Sequence, residues 1–87
     1  MDTITVYTVK TDIVKEDKTK LQINVIGENL SDAISSASYL KYNGEELRNH
    51  IISIEKFVDK VYRYTYMDDG DLNPNYKPKE DKNNENT

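Results

Sequence analysis

The chain has 87 residues, of which 36% are apolar and 32% charged, and its formal net charge is −4. It contains no Cys, no Trp, one His, three Gly and two Pro. These figures allow one small domain and exclude a disulfide scaffold, a thiol nucleophile and an ordinary zinc centre.

No run approaches the roughly 20 apolar residues that a membrane helix needs. No charged start leads into an apolar stretch as in a secretory signal. The expected location is cytoplasmic, with no membrane association.

Charge divides the chain in two. Residues 1–66 hold ten acids and nine bases, whereas residues 67–87 hold six acids and three bases. Met67, Leu72 and Tyr76 are the only sizeable apolar groups of the second part. Ordering a residue costs about 1–2 kcal/mol, which so little apolar surface does not offset. The expectation is a single domain over 1–66 followed by a disordered acidic tail over 67–87. A body of that size lies near the lower limit for a self-sufficient core.

Thr3 to Val14 carries nine β-branched residues, which is strand composition. The polar group Lys15-Glu16-Asp17-Lys18 interrupts it as a hairpin loop does. Leu21, Ile23 and Val25 then alternate with Lys20, Gln22 and Asn24, giving one buried and one wet face. An antiparallel hairpin follows.

After Gly27 the period changes. Leu30, Ala33, Ile34, Ala37 and Leu40 form one stripe of a helix. Ser31 suits the N-cap, Asp32 the first turn, and Asn43-Gly44 the left-handed stop. Small Ala33 and Ala37 let such a helix lie close against the hairpin.

From His50 to Tyr66 two periods compete. Ile52, Ile54 and Lys56 alternate with Ser53 and Glu55 as in a strand, while Ile51, Ile54, Val58 and Val61 have helical spacing. β-Branched and aromatic enrichment favours strand, in two parts meeting near Val58-Asp59. The predicted fold is α+β: a small β-β-α-β(-β) antiparallel sheet with one helix packed on one face.

Three groups invite a chemical reading. Asp69, Asp71, Asn73 and Glu80 match positions 1, 3, 5 and 12 of a calcium loop, but Pro74 stands where the sharp turn requires Gly. Lys77 and Lys79 bring positive charge to the same loop, so the expectation is a solvated acidic segment without metal. His50 follows Glu46 by one helical turn, the spacing of an acid–base pair, yet no nucleophile, metal cluster or phosphate loop accompanies it. Ser31, Ser35, Ser36, Ser38 and Ser53 lack a base. The chain reads as a non-enzyme that needs no cofactor.

The tyrosines carry more information. Seven of the eight aromatics are Tyr, a residue that offers broad, stiff contact area with a polar tip. On a strand, Tyr62, Tyr64 and Tyr66 share a face with Arg63 beside them, and these four are the expected partner-binding residues. The same ladder suits core cover, or stacking of single-stranded nucleic acid. Acids outnumber bases and Asp68-Asp69-Gly70-Asp71 adjoins the ladder, which disfavours phosphate. A terminal strand from Val61 to Tyr66 at a sheet edge also offers backbone groups to another chain or to a second copy as a homodimer.

Lys, Asn, Ile, Tyr and Phe, which have AT-rich codons, fill 35 of the 87 positions. An AT-rich bacterium or its bacteriophage is the expected source. The expected role is a small non-enzymatic protein-interaction module, a bacteriophage-encoded host-directed binder or inhibitor acting through its last strand and tyrosine face. A single-stranded nucleic-acid accessory protein and a small structural or assembly subunit are the alternatives.

Overall fold

The computed structural model describes residues 2–77. The chain runs β1 (Thr3–Val14), β2 (Lys20–Gly27), α1 (Leu30–Ser38), β3 (Lys41–Tyr42), β4 (Glu45–Glu46), a 3-10 turn at Leu47–Asn49, β5 (Ile51–Tyr62) and a second 3-10 turn at Arg63–Thr65. The architecture is α+β, a three-stranded antiparallel sheet in the order β2-β1-β5 with one helix packed against it.

The β1–β2 hairpin forms as its composition demands. Its pairing is regular from Thr5 opposite Gly27 to Lys10 opposite Gln22. In the loop, Lys15 N–H donates to the Thr19 carbonyl at 2.8 Å, and Asp17 accepts from the Thr19 N–H and hydroxyl at 3.0 and 2.6 Å. Those donors hold the Asp17 carboxyl below its ordinary range.

As the middle strand, β1 is buried on both faces. Tyr7 and Val9 meet Val25 of β2 and Ala33 and Ala37 of the helix, with Ile23, Ile51 and Ile54 around them. Ile4 and Val6 face the other way, onto Ile26, Val58, Val61 and Tyr66. Alternation along one strand thus feeds two small cores.

The helix cap differs from the sequence reading. Asn29, not Ser31, is the N-cap: its side-chain oxygen accepts from the Asp32 N–H at 3.0 Å, while Asp32 accepts from the Glu28 N–H at 3.1 Å. This reciprocal pairing satisfies donors that the first turn leaves free. The helix ends at Ser38, so Asn43-Gly44 does not stop it. With φ of 51° and 85°, those two residues instead form the tight turn joining β3 to β4.

A single strand, β5, replaces the two expected near Val58-Asp59. Its pairing with β1 shifts three times, between Ile4/Val6, Val6/Tyr7 and Lys10/Thr11, and each shift places an extra residue in β5. Lys60, at φ 58°, sits in one of these bulges. Every bulge moves the inward position by one, so Ile51, Ile54, Val58 and Val61 all reach a core from an extended strand. Their helix-like spacing is the imprint of bulges, not of a helix.

Asp59 lies in this irregular stretch and accepts the Thr5 hydroxyl at 2.9 Å, with Lys56 Nζ at 3.4 Å. The Thr5 hydrogen bond first, and then Lys56, hold the Asp59 carboxyl below its ordinary range. A carboxyl depressed in the folded state stabilises the fold above its unfolded pKa, and the stabilisation fades as pH falls through the folded value. Thr5→Val therefore destabilises the protein near neutrality, and the gap from wild type closes below about pH 4. Denaturant midpoints of the two proteins across that range check this.

The chain does not leave the body at Met67. Met67 N–H donates to the Asp71 carbonyl at 2.7 Å, Tyr66 bridges to Leu72, and Asn73 N–H donates to the Thr65 carbonyl at 3.0 Å. Gly70 is buried against the backbone of Asn24. The acidic segment is thus folded back as far as Tyr76, and the remainder of the expected tail, 78–87, lies outside the described residues.

Candidate functional site

Tyr62 closes β5 opposite Thr3, and there Arg63 begins a 3-10 turn by donating its N–H to the Asp2 carbonyl at 3.1 Å. The turn sets the Tyr64 ring on Tyr62, with centroids 5.6 Å apart and planes 6° from parallel. Tyr76 extends the row, 5.7 Å from Tyr64 and tilted by 43°. Asn73 Nδ2 donates to the Tyr64 carbonyl at 2.9 Å and holds the returning segment in place. Beside the row, Thr3, Lys60, Val61 and Thr65 complete a hollow of about 520 Å³ between Tyr62 and Tyr76.

Tyr66 does not belong to this surface. A regular strand would have carried Tyr62, Tyr64 and Tyr66 on one face, but the 3-10 turn rotates the chain and turns Tyr66 inward onto Ile4, Val6 and Ile26. It is half-buried against that cluster, apart from the ring stack of Tyr62 and Tyr64.

Arg63 lies beside the row, and its guanidinium is engaged. Nε meets Asp2 at 2.8 Å and a terminal nitrogen meets Glu28 at 3.7 Å. These pairs tie the chain start and the end of β2 to the 3-10 turn, so the arginine braces the site.

Tyr76 is the residue that sequence reading placed elsewhere. It was visible as one of three bulky groups in an otherwise polar segment. Averaging composition over 67–87 hid the return of the chain, which rests on backbone hydrogen bonds and on Gly70 against Asn24, while Met67 and Leu72 stay exposed.

Sheet edges offer less than the sequence suggested. β5 is an edge strand, as expected, but pairing ends at Tyr62 and its three bulges break the even row of backbone groups that strand addition uses. The other edge, β2, is met at Asn24 by Gly70.

His50 is not paired with Glu46, which holds Arg48 at 2.8 Å. Its Nδ1 lies 2.9 Å from Asp12 and its Nε2 2.8 Å from Glu45, and its carbonyl accepts from the Asp12 N–H at 3.1 Å. Both ring nitrogens are thereby occupied in fastening the β3–β4 hairpin to the end of β1, a bracing geometry.

Two of the calcium-like residues cap the turn locally. Asp69 accepts from the Asp71 N–H at 3.0 Å and Asn73 from the Asn75 N–H at 2.9 Å; Glu80 lies outside the described residues. Among the described residues no three His, Cys, Asp or Glu side chains converge as metal ligands. No helix there is long and apolar enough to cross a membrane.

No protein-family model, curated protein sequence or solved structure matches the chain.

Proposed function

We propose that the protein is a non-enzymatic interaction module that grips a protein partner through Tyr62, Tyr64 and Tyr76. The observation that carries this reading is the tyrosine row at the end of β5, with Tyr62 and Tyr64 exposed and Tyr76 half-buried beside them, braced by Arg63 and Asn73. Rings held in place lose little freedom on contact, and tyrosine supplies both apolar area and a hydroxyl.

A nucleic-acid role draws less support. Stacking suits bases, but phosphate requires uncommitted cations. Arg63 already carries two carboxylates and Lys56 pairs with Asp59, which leaves Lys60 as the cation lining the hollow, and the net charge is negative. A host-directed inhibitor from a bacteriophage fits the binding reading and the AT-rich coding.

The test is affinity capture from a bacterial host lysate with wild type and Tyr64→Ala in parallel, read by mass spectrometry. A protein retained by wild type and depleted at least tenfold by Tyr64→Ala is the expected result; truncating a central aromatic contact costs about 2 kcal/mol or more. Identical captures from both proteins would refute the assignment. Tyr64 is more than half exposed, so the substitution leaves the fold intact.

A further inference from the structure

The hollow between Tyr62 and Tyr76 is walled by Thr3, Lys60, Val61 and Thr65, with no carboxylate in its lining. Lys60 reaches it by way of a bulge. Asp59 and Lys60 both stand opposite Thr5, between the pairs Ile4 with Val61 and Val6 with Val58. Asp59 takes the Thr5 hydroxyl, and Lys60, at φ 58°, lines the hollow. Left-handed backbone is unfavourable for lysine and natural to Gly or Asn, and a bulge re-aims the side chain it carries. Strain of this kind persists where a site makes use of it.

The donors of the hollow are unspent. Thr5, Thr8, Thr11 and Thr19 each give their hydroxyl to an acceptor of the chain. Thr3 and Thr65, which line the hollow, give theirs to none among the described residues. Lys60 forms no ion pair there either: its neighbour Asp59 is engaged by Lys56 at 3.4 Å. Lys77, the residue after Tyr76, is likewise exposed and unpaired among the described residues.

The nearby acids lie on other surfaces. Asp2 is held by Arg63 at 2.8 Å. Asp69 and Asp71 border Gln22 and Asn24 of β2, and Asp68 lies with Glu28 and Arg63. The hollow therefore joins aromatic walls to positive charge, on a chain whose net charge is −4.

We propose that the hollow takes an acidic segment of the partner. An apolar side chain enters between Tyr62 and Tyr76, and an adjacent Asp or Glu of the partner reaches Lys60, Thr3 and Thr65. This rests on the tyrosine row being the binding surface. A carboxylate accepts several hydrogen bonds at once, and those from an ammonium are stronger than neutral ones. One acid asks for one cation. Single-stranded nucleic acid carries a phosphate at every residue and asks for a track of them, whereas Lys56 and Arg63 on either side of Lys60 are committed.

Selection from a displayed library of random peptides on the immobilised full chain tests the proposal, with Kd of enriched peptides measured by fluorescence anisotropy. The expected peptides carry Asp or Glu beside an aliphatic residue or Pro. Lys60→Glu weakens them about tenfold or more, because like charges then meet, and Lys60→Arg leaves them bound. Lys60 is exposed, so neither variant disturbs a core. Tyr64→Ala reports on the row separately. Enriched peptides that need Tyr64 but carry no acid, or acidic peptides indifferent to Lys60→Glu, overturn the acidic occupant and leave the tyrosine row as the contact surface. No enrichment beyond that on Tyr64→Ala removes both. A single-stranded oligothymidylate bound more tightly than any enriched peptide overturns the proposal in favour of nucleic acid.

Discussion

Ile4→Ala is expected to lower the unfolding free energy by about 2–5 kcal/mol, measured by urea denaturation. Ile4 is 1% exposed and lies on the face of β1 away from the helix, against Ile26, Val58, Val61 and Tyr66. Truncation leaves a void that β1, paired on both sides, has little freedom to close. The loss is a large fraction of the roughly 5–15 kcal/mol that holds a small domain folded. Ile52→Ala is the internal control: Ile52 lies at a bulge of β5 and is 60% exposed, so its truncation shifts stability by about 0.5 kcal/mol or less. Equal losses from the two would mean that the three register shifts are misplaced.

Gly70→Ala should release the returning C-terminal segment. Gly70 has φ 86°, where a side chain is strained, and an added Cβ would stand 2.6 Å from the Asn24 carbonyl carbon and oxygen. The clash is with backbone, so no rotamer relieves it. The expected cost is about 1–3 kcal/mol, concentrated in the turn. Amide exchange should quicken at Met67, Gly70 and Asn73, whose N–H groups bond within this segment and back to Thr65. Because Asn73 and Tyr76 also steady Tyr64, partner capture should weaken alongside. Unchanged exchange at those amides would show that the turn does not rest on Asn24.

The two substitutions probe opposite ends of one arrangement. The sheet has a helix over one face, and over part of the other it has Tyr66 with the segment that follows. Composition shows the first cover and conceals the second, because backbone hydrogen bonds and Gly70 against Asn24 hold that segment and leave no apolar signature. The tyrosine site inherits the same difficulty. Spacing puts Tyr62, Tyr64 and Tyr66 on one strand face, whereas the 3-10 turn stacks Tyr64 on Tyr62 and directs Tyr66 toward Ile4 and Val6, and Tyr76 joins the rings from a segment read as tail.

Local chemistry alone determined the hairpin, the helix and the α+β class. β-Branched runs, alternation from Lys20 to Val25 and the stripe through Ala33 and Ala37 each act within a few residues, where sequence and conformation are directly coupled. Tertiary contact decided the rest. The spacing of Ile51, Ile54, Val58 and Val61 has two readings until β1 supplies a register, and bulges exist only as a mismatch between two strands. Asn43-Gly44 fits a helix stop or a hairpin turn equally well by conformation, and pairing of Lys41 with Glu46 selects the turn. Which carboxylates hold His50 and Arg63 depends on residues up to 61 positions away, brought together only when the sheet closes.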